Sequence, residues 1–487
     1  MQYTIPDQNH GTVAEHNGDI INVENNESDV KSTVLNNKIP LYPSIQFKPI
    51  ENQASDYVNT APSKEFNMFE AKYNELTQSI ETYIKKSLNT IEQTNAYATA
   101  KRIYDYVNKS YFKVETGLPS DIQISSDGIF KSISWHPHQE ILAVADRADR
   151  IYLYTKQETT WKCQVLEHVL MKDIRCIEWK PKATGTLAVG CKAGVCVWNI
   201  SIHLNYISNT GIWYHPAASM QHLEYPEQEC VTAIAWDPSP GSHLLAIASS
   251  ASSALIIHDM LLNRTVALKR YGKGNTIVRW SNDGKWLFVG GTAGVSRIWS
   301  SATWASKQLK NPPGLWVQAA CWLPDNMTLL YSMKSKNDIH ALCLSGPTFK
   351  QDVWDIKMIT VHSAAISDSA SHTGNTIQDI AIDRRYGQRI AVFFENSPII
   401  NLYNVQLSPL NIRERKAFHQ IGYIRGAQVE YGNKGSIHVS ALKNETKPLH
   451  ISFSSFYKQG AVLAIAWDNG VITFVTHNLK ITLANLC

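Results

Sequence analysis

Short apolar runs separated by tight polar turns dominate the chain from about residue 120 onward. The clearest stretch runs Ile277-Val-Arg-Trp280, then Lys285-Trp-Leu-Phe-Val289, then Val295-Ser-Arg-Ile-Trp299. Ser281-Asn-Asp-Gly284 fills the first gap and Gly290-Gly-Thr-Ala-Gly294 the second. Runs of about four to eight residues rich in Val, Ile and aromatics, bounded by Asn-Asp-Gly or paired glycines, read as strands joined by tight turns. The stretch therefore predicts an antiparallel three-strand meander.

The same order recurs along the chain. One copy begins at Ile133-Ser-Trp135-His-Pro137, with Ile141 to Ala145 and Arg150 to Tyr154 behind it. Others begin at Ile177-Glu-Trp179-Lys-Pro181, at Ile234-Ala-Trp236-Asp-Pro238 and at Cys321-Trp322-Leu-Pro324, with third strands closing on Trp198-Asn199 and His258-Asp259 in the first two. Two looser copies start at Ile380-Ala-Ile-Asp383 and His450-Ile-Ser-Phe453, giving seven in all. Trp135 and Trp179 are 44 residues apart, Trp236 and Trp280 also 44, and Trp280 and Trp322 are 42. A period of roughly 40–45 residues with four strands per unit marks a propeller blade, and one such unit cannot bury its faces alone. The expected fold is all-β, a seven-bladed WD40-type β-propeller over residues 119–487.

Room for a fourth, outer strand follows each third strand, as at Cys163 to Glu167 and Val266 to Arg270. Two longer segments, Ser201 to Glu229 and Lys350 to Gln378, read as surface loops. A strand from far away must seal the last blade, and Lys480 to Leu486 or residues 120–126 are the candidates.

Ahead of the repeats, residues 1–60 are rich in Asn, Asp, Glu and Ser and read as a flexible arm. Its apolar islands, Ile20-Ile21 and Ile39 to Phe47, suit extended docking on a partner or on the propeller rim. Residues 61–118 read as helical. Phe69, Tyr73, Leu76, Ile80, Ile84, Leu88 and Ile91 mark one face, and Ala96, Ala100, Ile103, Tyr104 and Val107 mark a second run. Helices packed on or beside the propeller are favoured over a coiled-coil contact with a partner.

Composition narrows the function. The net charge is +4 and the basic residues read as scattered, so no nucleic-acid face is expected. Eight cysteines without a CxxC pair read as free thiols. Met1 to Glu15 has no apolar core, so no signal peptide is expected. The charge-free run Pro238 to His258 contains two prolines and six serines and falls on strands, which excludes a membrane helix.

No catalytic constellation is present, and neither metal nor cofactor is expected. His136-Pro-His138 reads as a turn, and Gly290 to Gly294 lies between strands rather than before the helix that a phosphate cradle requires. Asp237, Asp283 and Asp325 recur beside turn residues. The residues left for binding are turn charges between second and third strands, namely Arg147, Asp149, Arg150 and Lys192, and the off-phase tryptophans Trp161, Trp213, Trp304 and Trp316. Exposed tryptophan suits an interface anchor, although covering a blade edge accounts for each of them equally well. Trp135, Trp179, Trp198, Trp236, Asp259, Trp280, Trp299 and Trp322 form the structural repeat set.

The Trp-His-Pro, Trp-Lys-Pro and Trp-Asp-Pro starts, with Trp198-Asn199 and His258-Asp259 ending third strands, resemble divergent WD repeats. Whole segments go further. Glu15-His-Asn-Gly-Asp-Ile-Ile21, Ser134-Trp-His-Pro-His138, Trp179-Lys-Pro181, Val278-Arg-Trp280-Ser-Asn-Asp-Gly284, Arg297-Ile-Trp299, Thr303-Trp304 and Cys321-Trp322 follow the order of the aladin family of WD-repeat nucleoporins. The resemblance is close over the first five blades and loose elsewhere, and no counterpart of the long Pro-rich tail of vertebrate relatives is seen. It implies a non-catalytic scaffold of the nuclear pore complex at the nuclear envelope. Such a scaffold is recruited by a polytopic pore-membrane nucleoporin, supports nuclear import and is associated with the mitotic spindle. The alternative is a generic WD-repeat adaptor, such as a ubiquitin-ligase substrate receptor or a spindle-associated scaffold.

Overall fold

The structure is a computed structural model. It describes residues 6, 9–23, 34, 36–49, 129–201, 218–225, 229–269, 274–292, 294–312, 314–344, 354–359, 376–405, 418–432, 436–442 and 445–479. The predicted helical segment lies outside them, as does Trp213.

Seven blade sheets, antiparallel except at the edge of the last, follow one another along the chain, with one additional two-stranded hairpin. Blade 1 comprises Phe130–Trp135, Ile141–Asp146, Ile151–Gln157 and Thr160–Leu166. Blade 2 comprises Cys176–Trp179, Thr186–Cys191, Gly194–Ile200 and Ala218–Leu223. Blade 3 comprises Val231–Trp236, Leu244–Ser249, Leu255–Asp259 and Arg264–Leu268. Blade 4 comprises Asn275–Trp280, Trp286–Gly291, Val295–Ser300 and Ser306–Lys310. Blade 5 comprises Val317–Trp322, Thr328–Met333, Ile339–Leu344 and Trp354–Ile359. Blade 6 comprises Ile377–Ile382, Arg389–Phe394, Ile400–Val405 and Phe418–Ile424. Blade 7 is built on Pro448–Phe453, Gly460–Trp467 and Val471–Asn478. Each first strand touches the first strands of both neighbouring blades, so these seven line the centre of a closed ring.

The segments read as long loops contain the outer strands of blades 2 and 5, Ala218–Leu223 and Trp354–Ile359. The reason is clear in blade 2. An outer strand is covered on one side only, so Ala218–Leu223 alternates half-buried and exposed residues up to a single buried Leu223 and offers no apolar run to read.

Burial occurs mainly between blades. One apolar cluster joins Leu153 and Leu166 of blade 1 to Trp179 and Trp198 of blade 2, and another joins Ala246 and Leu255 of blade 3 to Trp280 and Trp299 of blade 4. Five inner-strand tryptophans bond across these seams. The indole Nε1 of Trp179 donates to the carbonyl of Ser134 at 3.2 Å, and Trp236 to Glu178, Trp280 to Ala235 and Trp322 to Arg279 repeat the geometry at 3.0–3.2 Å. Trp135 makes the same bond to Ser452 of blade 7 at 3.1 Å. Each acceptor precedes, in its own strand, the position that tryptophan occupies in the repeat. At the other strand end Thr232 Oγ1 donates forward to the carbonyl of Asn275 at 2.8 Å, and Thr276 Oγ1 to that of Val317 at 2.9 Å. Both ends of these strands are thus tied to a neighbour, in opposite senses.

The last blade is sealed from the N-terminal side. Thr12–His16 lies parallel to Val471–Asn478, pairing Ala14 with Thr476, and Asp19–Asn22 extends the sheet beyond it. Ile45–Gln46 pairs antiparallel with the other end of the same edge, Ile45 opposite Ile472. Lys480 to Leu486 and residues 120–126 lie outside the described residues, and the arm occupies the edge they were expected to take. The arm read as flexible therefore supplies strands, two of them at its apolar islands and one, Thr12–His16, ahead of both. Its Val13, Ile39 and Leu41 pack with Val429 and Val439 of the extra hairpin Ala427–Tyr431 and Ile437–Ala441, which stands between blades 6 and 7. The islands bury enough apolar surface, once a sheet edge is available, to offset the ordering cost that an isolated polar arm could not meet.

Candidate functional site: the arm-clasped seam and the turn faces

The seam between blades 6 and 7 contains a buried ionic cluster. Glu15 reaches in from the arm, Arg389 opens the second strand of blade 6 and His477 lies near the end of the third strand of blade 7. Arg389 Nε lies 2.8 and 2.9 Å from the two Glu15 carboxylate oxygens, and its Nη2 donates to Oε1. His477 Nδ1 donates to Oε2 at 2.5 Å and the Gly18 N–H to Oε1 at 3.0 Å. Asn404 Oδ1 accepts from Arg389 Nη1 at 2.9 Å. Burial alone would raise the pKa of Glu15; the hydrogen bonds and charges of His477 and Arg389 outweigh it and hold the carboxyl at about 2.

Further along, the arm crosses to blade 1. Tyr42 donates its hydroxyl to Glu140 at 2.6 Å, Trp161 Nε1 donates to the carbonyl of Pro43 at 2.8 Å, and Phe47 packs edge-on against Phe130 and Tyr152. Trp161 also stacks on Phe474 of blade 7, ring centres 5.0 Å apart. This off-phase tryptophan is an anchor for the chain's own arm. The clasp was not legible as such. Its signal is a charged residue inside an otherwise apolar strand pattern in two separate segments, at Glu15 and at Arg389.

The turn charges fall into two groups. Arg147 and Lys192 are exposed. Asp149 and Arg150 are engaged: Asp149 Oδ1 accepts from the Ile174 N–H at 2.9 Å, and Arg150 Nε lies 3.2 Å from Glu167. Asp149 has φ 62°, a left-handed conformation that Asp tolerates, and it aims the carboxylate at the entry to blade 2. Gly194, in the next of these turns, has φ 134°, and a Cβ there would meet the Leu223 carbonyl oxygen at 2.2 Å.

Trp304 packs edge-on against Trp280 with ring centres 6.2 Å apart and covers the seam of blades 3 and 4, while Trp316 is half-buried just ahead of blade 5. Of the repeat set, Trp135, Trp179, Trp198, Trp236, Trp280, Trp299 and Trp322 are buried. Asp259 caps its own turn, accepting from the N–H groups of Leu261 and Leu262 at 2.9 and 3.2 Å.

The residues weighed for chemistry serve turns. His136 Nδ1 accepts from the N–H groups of His138 and Gln139, and Asp237, Asp283 and Asp325 accept from turn hydroxyls or N–H groups. Among the described residues no group of three or more His, Cys, Asp or Glu side chains is placed to hold a metal ion, and no helix is long and apolar enough to cross a membrane.

A curated Arabidopsis thaliana protein named Aladin is 24% identical over 373 residues, spanning 72% of this chain and 76% of that one. Among solved structures, a chain in the crystal structure of the mitotic checkpoint complex is 14% identical with a TM-score of 0.47, over 72% of this chain and 92% of that one. The β-propeller domain of Cps50 (Swd1) from Myceliophteria thermophila is 14% identical with a TM-score of 0.49, over 72% and 97%. The family model for the aladin seven-bladed propeller matches residues 120–477. A match of that length across all seven blades shows that this chain belongs to the aladin propeller family.

Proposed function

We propose that the protein is a non-catalytic scaffold of the nuclear pore complex, held at the nuclear envelope by a polytopic pore-membrane nucleoporin and supporting nucleocytoplasmic transport. The family match over residues 120–477 carries the reading. The geometry supports it in two ways. A ring tied at every described tryptophan seam is a rigid platform whose turns present separate contact surfaces. In addition, the turn carboxylates are committed to backbone and hydroxyl donors, which leaves them unsuited to acid–base work. Arg147 and Lys192 on one face, and Trp316, are the partner-contact residues in this reading. A role at the spindle in mitosis belongs to the same proposal.

Live-cell imaging of the tagged full-length chain, with capture from envelope fractions in mild detergent, tests it. The expected result is a punctate nuclear rim with membrane nucleoporins in the eluate. A diffuse cytosolic signal with ligase components in the eluate would overturn the pore assignment.

A further inference from the structure

The basic residues are less evenly spread than the sequence reading suggested. Residues 244–324, which span most of blades 3 and 4, hold nine Lys and Arg against two Asp and no Glu, in a chain whose net charge is only +4. Within this basic sector lies the most exposed apolar side chain among the described residues. Leu261 and Leu262, at the turn between the third and fourth strands of blade 3, are 70% and 60% exposed, and Val266 on the adjoining outer strand is 57% exposed. In an antiparallel four-strand meander the first and third turns share one end. Lys182 and Lys285, in the first turns of blades 2 and 4, therefore flank the hairpin on the same face, and Arg264 begins its return strand. Lys182 and Arg264 are exposed, and the Lys285 side chain is 76% exposed beside Asp283 at 3.2 Å.

The carboxylates on this end are held within their own turns; Asp283 also pairs with Lys285, while Lys182 and Arg264 form no ion pair among the described residues. Asp237 accepts from Ser239 and Ser242, Asp283 from Ser281 and the Lys285 N–H, and Asp259 from the two leucine N–H groups themselves. The last contact matters most, because it fixes the turn so that both leucines project from its tip. Asn263, with φ 48°, completes the tight reversal. A projecting apolar tip rimmed by cations suits the boundary of headgroups and acyl chains in an anionic bilayer, whereas an apolar partner helix would need a groove.

We propose that the Leu261–Leu262 hairpin is a wedge that inserts into an anionic membrane surface, with Arg264, Lys182 and Lys285 set against lipid phosphates. This contact goes beyond anchoring by a membrane protein and does not depend on it.

Vesicle flotation of the purified full-length chain tests the proposal, with phosphatidylcholine vesicles carrying roughly one-third phosphatidylserine compared with phosphatidylcholine alone. Wild type is expected to float with the acidic vesicles only. The double variant Leu261→Asp/Leu262→Asp should lose at least about tenfold in binding, and Arg264→Glu should weaken binding and flatten its salt dependence. Val169→Asp, at an equally exposed apolar residue on the opposite end of the propeller, should bind as wild type. Thermal unfolding controls for folding, since none of these side chains is buried. Wild type that ignores acidic vesicles, or a leucine double variant that floats as well as wild type, overturns the proposal.

Discussion

The indole of Trp135 donates to the carbonyl of Ser452 across 317 positions of chain, at 3.1 Å. It is the same bond that ties blades 2 to 5 each to its predecessor, but here it joins the first blade to the last and so helps to close the ring. Trp135→Phe removes the donor and trims the ring that packs against Phe456 and Phe474, at a cost of about 1–3 kcal/mol. Trp135→Ala removes the packing as well and should cost about 3–5 kcal/mol. Urea unfolding of both variants checks this; a neutral Trp135→Phe would show that the bond does not stabilise the closure.

How much of this was legible follows from where each signal resides. The inner-strand tryptophans recur because the same bond recurs, so Trp135 to Trp322 declared blades 1 to 5 directly, whereas blades 6 and 7 carry Ile382 and Phe453 there. The strand across the closing edge was misplaced because Thr12–His16 is short and separated from its partner by more than 450 residues, and local patterning carries no information on such pairing. The outer strands of blades 2 and 5 were hidden within segments read as loops. The off-phase Trp161 was found from the sequence, but whether it faced a partner or the chain's own Pro43 depended on the arm's course.

The Glu15 clasp should control docking of the arm. Glu15→Gln leaves the Arg389 guanidinium buried without its counter-charge, and breaking a buried pair in this way costs about 3–5 kcal/mol. The expected result is faster amide exchange over Thr12–His16 and the paired edge Thr476 to Asn478, with inner strands still protected. The pH dependence has a fixed sign. The folded carboxyl is held at about 2 against 4.5 for the free group, so its contribution is complete above about 4.5 and is lost as pH falls from there toward 2. Exchange at the arm should be insensitive to this group from pH 7 to about 5 and accelerate below about 4.5, and Glu15→Gln should abolish that acid step. An arm equally protected in the variant would exclude the clasp.

Two neighbouring turn residues should separate structure from binding. Asp149→Ala removes the acceptor for the Ile174 N–H and should cost about 1–3 kcal/mol. Arg147→Ala and Lys192→Ala alter exposed side chains and should stay within about 0.5 kcal/mol of wild type. Equal midpoints for all three in denaturant titration would refute the structural role of Asp149. A loss of envelope partners in Arg147→Ala or Lys192→Ala, with stability unchanged, would place the contact on this face.

Glu178 sits on the inner strand of blade 2, one residue before Trp179, and its backbone carbonyl accepts the Trp236 indole. Burial raises its pKa from 4.5 to about 7, although the charges of Arg384 and Arg279 act in the opposite direction. A folded carboxyl that holds its proton more tightly than the unfolded one favours the fold when protonated. That advantage is present below about 4.5 and is lost as pH rises through about 7. Glu178→Gln cannot ionise, so it should match wild type near pH 4.5 and exceed it by about 1–3 kcal/mol at pH 8. Urea unfolding of both proteins at pH 5, 6.5 and 8 measures the difference. A gap that widens with pH would assign the penalty to ionisation of a carboxyl held inside the ring. A gap that stays constant would mean that the fold tolerates the charge and that the substitution acts through packing alone.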